Sequence, residues 1–123
     1  MVKPINDAIG TSYYVDGGSA LTQKNFSDRL GKVVYDDRHP LITGLMTGVG
    51  NTFLSGWSRA GVEHIVTIYG FDFTSPTEGK IYYMETDNLP GDTNTTAGPK
   101  EMDYQSFWTL VAENDVQIAA PKA

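Results

Sequence analysis

Apolar positions along the 123-residue chain alternate in two distinct periods, and the switches between them predict a series of elements. Tyr13-Tyr14-Val15, ahead of the turn signal Asp16-Gly17-Gly18, reads as a strand. Thr22 stands as a helix N-cap, Phe26, Leu30 and Val33 follow at helical spacing, and Leu21 is placed to staple the entry. The pattern therefore predicts a helix over 19–32. Gly31 is positioned to cap it, while Val33-Val34 would equally begin a strand. After the polar turn Asp36-Asp37-Arg38-His39, Pro40 suits the first position of a strand because it cannot donate to a ladder, and Leu41-Ile42-Thr43-Gly44-Leu45-Met46-Thr47 is that strand. Residues 48–61 carry Gly48, Gly50, Gly56 and Gly61 around Trp57 and read as a long loop, a common seat of function.

Residues 62–71 are β-branched and aromatic, with both alternating faces largely apolar, as in a strand near a sheet centre. Residues 73–79 form a hairpin-type connection to a partner strand over 80–86, and the connection is too short for a parallel crossover. Residues 87–101 are loop by composition. Asp103 caps a last helix with the stripe Phe107, Leu110 and Val111 and with Trp108 beside it, and 116–119 read as a final short strand. The order helix, strand, long loop, two strands, helix, strand predicts a single α+β domain over 1–123 built on an antiparallel β-sheet.

Composition narrows the chemistry. There is no cysteine, which excludes disulfides, thiolate metal sites and a cysteine nucleophile from this chain. A formal net charge of −6 supplies no basic footprint for nucleic acid, and no apolar run reaches the length of a membrane span. Met1-Val2-Lys3-Pro4 lacks an apolar signal core, which leaves the compartment open. No metal or cofactor is expected. His39 and His64 are too far apart for a zinc spacing, Asp87, Asn88, Asp92 and Asn94 lack calcium-loop spacing, and Gly48-Val49-Gly50 has no Lys-Ser/Thr after it to hold phosphate.

Of the two histidines, His39 reads as an exposed turn residue. His64 begins the strongest strand just after the glycine-rich loop, where a general base would be well placed, although pattern alone favours a hydrogen-bonded, half-buried histidine. In an antiparallel hairpin Glu85 and Asp87 return beside His64, and either carboxylate would fix the imidazole tautomer. Ser55 and Ser58 lie near in sequence, but no nucleophile-elbow motif surrounds them. Most aromatics read as core; Trp57, in the loop next to His64, is the candidate to line a substrate groove.

Arg38-His39-Pro40-Leu41-Ile42, the loop with Gly56-Trp57, and Glu63-His64-Ile65-Val66-Thr67-Ile68-Tyr69-Gly70-Phe71-Asp72 together resemble the C-terminal half of papain-like cysteine peptidases. The nearest type is the bacteriocin-processing, double-glycine-leader peptidase and its bacterial C39-like relatives. Ile81-Tyr82-Tyr83-Met84-Glu85-Thr86 and Tyr104-Gln105-Ser106-Phe107-Trp108 extend the likeness, which covers roughly residues 20–118. The resemblance implies a papain-like second lobe, an antiparallel sheet or half-barrel with two short helices, in which His64 is the catalytic base. Glu85 inherits the orienting role usually held by Asp or Asn, with Asp87 in reserve; Glu63 stands where the family has Gly. The family's cysteine begins a helix well upstream of the histidine. Gly17-Gly18-Ser19-Ala20-Leu21 is only faintly similar to that helix start and carries no thiol. The expectation is thus a histidine-bearing lobe that acts on a peptide or protein substrate and is inactive alone until an N-terminal Cys-bearing segment joins it. The alternatives are a non-catalytic peptide- or ligand-binding module on the same fold, using the Trp57 loop and 87–101, and an acidic α+β domain with an accidental likeness. A secreted or cell-surface bacterial setting follows from the resemblance only.

Overall fold

Thr22 starts the first helix as its sequence position predicts. Its backbone is extended (ψ 159°) and its side chain accepts the Asn25 backbone N–H at 3.1 Å. In the computed structural model, which describes residues 7, 14–16, 22–85, 97–112 and 119–121, this helix, α1, is Gln23–Leu30. It begins later than the expected residue 19, and 19–21 lie outside the described residues. Gly31 stands at its C-cap, with its N–H donating to the Asp28 and Ser27 carbonyls, but it does not stop the helical path. Gly31 stays right-handed (φ −59°, ψ −46°), and the chain widens into a π-helical turn, Gly31–Asp36, so Val33-Val34 begin no strand. Phe26, Leu30 and Val33 are buried along one side, and this shared apolar stripe carries the helical path past the glycine. The turn closes with the Asp37 N–H on the Lys32 carbonyl (2.9 Å) and the His39 N–H on the Val33 carbonyl (2.8 Å).

Among the described residues six strands, β1 (Tyr14–Asp16), β2 (Leu41–Thr47), β3 (Val62–Ser75), β4 (Glu78–Glu85), β5 (Gly98–Asp103) and β6 (Ala119–Pro121), form an open antiparallel sheet in the order β1-β6-β2-β3-β4-β5. With α1 and a second helix, α2 (Tyr104–Ala112), the fold is α+β on an antiparallel sheet. The β3–β4 hairpin is present and longer than predicted. Ser75 pairs with Glu78, leaving Pro76-Thr77 as the turn. Gly79 (φ +145°) follows it, where a Cβ would stand 2.2 Å from the Asp72 carbonyl oxygen, so only glycine fits.

Two expectations need correction. Residues 98–101 are strand rather than loop: β5 pairs with β4 from Lys80↔Asp103 to Glu85↔Gly98. Gly98 and Pro99 hide it, since both are poor strand formers, but β5 is an edge strand, where a missing donor is tolerated. The final strand is Ala119–Pro121, and 113–118 lie outside the described residues.

The second correction concerns β3, which lies inside the sheet but is covered on one face only. Val66 and Ile68 are buried while Ile65 and Tyr69 are about half exposed. A bulge explains the rest of the strand. Ile68 pairs with Tyr83 and Gly70 with Tyr82, so Tyr69 is the extra residue. The bulge reverses the alternation and turns Phe71 and Phe73 onto the core side.

The core lies between that covered face and the helices. Leu41, Leu45, Val66, Ile68, Ile81 and Tyr83 come from the sheet, Phe26, Leu30 and Val33 from α1 and its π turn, and Tyr104, Phe107, Leu110 and Val111 from α2. Asp103 caps α2 by accepting the Ser106 N–H at 3.0 Å. Rings join the layers: Phe26 stacks near Tyr104 and Phe107, and Phe73 lies 4.3 Å from Tyr104 between centroids. The Ser27 and Tyr104 hydroxyls are hydrogen-bonded across the α1–α2 interface. Among the described residues no helix is long and apolar enough to cross a membrane.

Tyr83 is the polar anomaly of this core. Its hydroxyl is buried without a well-formed hydrogen bond. Burial pushes its pKa up to about 12; the Glu85 carboxylate adds to the rise and the Ser55 backbone opposes it. An unfolded tyrosine ionises near 10, so the unfolded state releases its proton first as pH rises. The stability this gives is therefore complete below about pH 10 and is lost between about pH 10 and 12. Chemical denaturation across that window is expected to show a steeper alkaline loss in the native chain than in Tyr83→Phe. Parallel curves would show that Tyr83 ionises as readily folded as unfolded.

Candidate functional site

The register of β2, β3 and β4 sets the site. Leu45 pairs with His64, and on the covered face β3 presents His64, Val66 and Ile68 while β4 presents Ile81, Tyr83 and Glu85. His64 and Glu85 are diagonal neighbours on that face, within reach of long side chains. His64 Nε2 lies 2.6 Å from Glu85 Oε1, with the imidazole 9% exposed and the carboxylate side chain 0% exposed.

The loop over 48–61 delivers the third member. Gly48 (φ +92°) meets Ala60, whose Cα would lie 2.5 Å from any Cβ there, so the loop's two ends close on a glycine. The Gly48 N–H donates to the Thr52 carbonyl (2.7 Å) and the Gly61 N–H to the Thr47 carbonyl (2.8 Å). Leu54 is buried, and the Trp57 N–H bonds back to its carbonyl at 2.9 Å, which folds the indole inward. Trp57 Nε1–H donates to Glu85 Oε2 at 3.0 Å, and the indole packs on the imidazole with centroids 4.8 Å apart.

Trp57 is therefore not the groove wall that its loop position predicts. It is 6% exposed and belongs to the core. Two demands draw it in: a large apolar surface to bury and an indole N–H that needs an acceptor once buried. Asp87, the reserve carboxylate, lies outside the described residues. His39 is half-buried at the far end of β2, and Ser55 and Ser58 are exposed. The Trp57–Glu85 bond is what the sequence reading missed. Its signal was the period-two series Ile81, Tyr83, Glu85, which puts a carboxylate on a core-facing position where donors must come to it.

This geometry decides a proton. An ionised carboxylate only accepts hydrogen bonds, so both Trp57 Nε1 and His64 Nε2 donate to Glu85. A neutral His64 thus carries its proton on Nε2, and Nδ1 is its basic nitrogen.

Removing Glu85 leaves buried donors without their acceptor, whereas removing the indole N–H deletes one bond from the acceptor's side. Glu85→Ala is expected to cost about 3 kcal/mol in urea unfolding and Trp57→Phe about 1 kcal/mol. The reverse order would show that packing of the indole, rather than the carboxylate, holds this corner together. Comparison of the chain with protein families, with curated proteins and with solved structures returns no match.

Proposed function

We propose that the chain is the histidine-bearing lobe of a cysteine-peptidase-like hydrolase, a papain-like second lobe that acts on a peptide or protein when a Cys-bearing segment joins it. The observation that carries the reading is the 2.6 Å contact between His64 Nε2 and the buried carboxylate of Glu85. With Nε2 on Glu85, Nδ1 is the nitrogen that would act as base, and the carboxylate would be a fixed negative charge for the imidazolium formed during reaction.

The step would run as follows. Nδ1 takes the proton of a cysteine thiol, giving a thiolate and an imidazolium whose Nε2–H stays on Glu85. The thiolate attacks the peptide carbonyl, and the imidazolium returns its proton to the leaving amine as the C–N bond breaks. Water, deprotonated by Nδ1, then releases the acyl group and restores the thiol. The extra methylene of Glu relative to Asp is no obstacle to this pairing, because the carboxylate already meets the imidazole at hydrogen-bond distance.

A second reading rests on the absence of any cysteine: the same fold as a peptide- or ligand-binding module, with the His64–Glu85 pair kept as structure. The two readings part at the coding sequence upstream of Met1. An in-frame Cys-Gly-Pro-like helix start supports the peptidase lobe, and an immediate in-frame stop leaves the binding module.

The dyad has its own test. Nitrogen-15 shifts of His64, recorded where the imidazole is neutral, are expected to show protonation at Nε2. In Glu85→Gln the amide oxygen is retained by the Trp57 N–H, so the amide NH₂ faces His64 and the proton moves to Nδ1. An unchanged tautomer in Glu85→Gln removes the orienting role. The 123-residue chain alone is expected to cleave a fluorogenic peptide library no faster than buffer; turnover that His64→Ala abolishes would mean that this chain holds its own nucleophile.

A further inference from the structure

Three departures from regular backbone meet at the end of the sheet opposite His64. The π-helical turn Gly31–Asp36 supplies Val34 and Tyr35, Arg38 holds a left-handed conformation (φ +57°), and the bulge in β3 re-aims Tyr69. Each is uncommon in a chain free to choose, and such features concentrate where a fold builds a site. Here they line shared space. A cavity of about 290 Å³ is walled by Val34, Arg38, His39, Pro40 and Tyr69, and a second of about 410 Å³ by Val34, Tyr35 and Arg38. Leu41 pairs with Ile68 at this end and Leu45 with His64 at the other, so Tyr69 lies five positions along β3 from His64, roughly 16 Å at ordinary strand rise.

The charge at this place is as telling as the shape. The chain carries a net −6, yet among the described residues no carboxylate pairs with Arg38. Lys32, close by in sequence, is held by Asp37 at 2.8 Å. Arg38 is exposed, and its guanidinium presents the planar fork that receives a carboxylate through two parallel hydrogen bonds. Tyr35 and Tyr69 are exposed by 76% and 48%, and each is a large apolar surface lining one of the two cavities that Arg38 also lines. A cation that shares its cavities with two exposed tyrosines, with Val34 and Pro40 as further apolar wall, matches a carboxylate attached directly to an apolar or aromatic body.

We propose that Arg38, with Tyr35 and Tyr69, forms a second binding site, distinct from the His64–Glu85 pair, for a carboxylate carried on a hydrophobic peptide residue. That carboxylate can be a chain terminus or an acidic side chain beside an aromatic residue. The site does not depend on the peptidase reading, because it shares no residue with the dyad.

Amide-shift titrations at low ionic strength test it with four probes: N-acetyl-phenylalanine, N-acetyl-phenylalaninamide, N-acetyl-phenylalanyl-aspartic acid α-amide with its side-chain carboxylate free, and inorganic phosphate. Saturable shifts centred on Tyr35, Arg38 and Tyr69 are expected with the first probe or the third, and which of them binds tells a terminal carboxylate from a side-chain one. The fully blocked amide is expected to bind at least tenfold more weakly. Arg38→Asn removes the charge with a residue that tolerates the left-handed backbone, and it should weaken binding at least tenfold with the rest of the spectrum intact. Tyr69→Ala should weaken it several-fold. The proposal is overturned by equal binding of the blocked amide, by equal response to phosphate, by undiminished affinity in Arg38→Asn, or by no saturable shift with any probe.

Discussion

A carboxylate with 1% of its residue surface exposed must be met by donors or be expelled, and Glu85 is met. That one requirement organises the end of the sheet where it sits. It fixes the imidazole of His64 on the neighbouring strand, and it accepts the indole N–H of Trp57 from the loop over 48–61. The loop complies because Gly48 lets its two ends touch and because Leu54 and Trp57 both gain burial by turning under it. Polar pairing and hydrophobic burial thus act on the same segment in the same direction, the condition under which a buried network rigidifies rather than weakens a core.

β3 serves two ends of the molecule with different chemistry. Before the bulge its covered face holds His64, Val66 and Ile68; after it the same face holds Phe71 and Phe73. A regular strand would have placed Gly70 and Asp72 toward Tyr104 instead. One extra residue therefore reconciles a histidine at one end with an aromatic cluster at the other, and it sends Tyr69 out to the opposite surface.

What was legible in the sequence was whatever local pattern decides. The Thr22 cap, the Asp103 cap, the β2 strand and the antiparallel hairpin all follow from spacing and turn chemistry. His64 and Glu85 were legible as a pair because two strands joined by a short turn must return side by side. β5 was not, since Gly98 and Pro99 argue against a strand and only the waiting edge of β4 makes one of them. Nor was the exposed face of β3: Ile65 and Tyr69 belong to a strand apolar on both alternating faces, and that pattern does not say that α1 and α2 pack on the other face. The π turn escaped for a related reason, because its buried Val33 satisfies ordinary helical spacing equally well.

The chain order of the pairings has a consequence for assembly. β2, β3, β4 and β5 succeed one another as sheet neighbours, whereas β1 and β6 pair across nearly the whole length of the chain. Trp57, His64 and Glu85 all fall within the sequential part, the outermost two separated by 28 positions in sequence. Closing a loop costs more entropy as it lengthens, though only logarithmically, and contacts between sequence neighbours are reached soonest. The geometry of His64 is therefore encoded in a contiguous stretch of chain. Loosening the β1–β6 pair would fray an edge of the sheet without unmaking the hydrogen bonds that hold the imidazole.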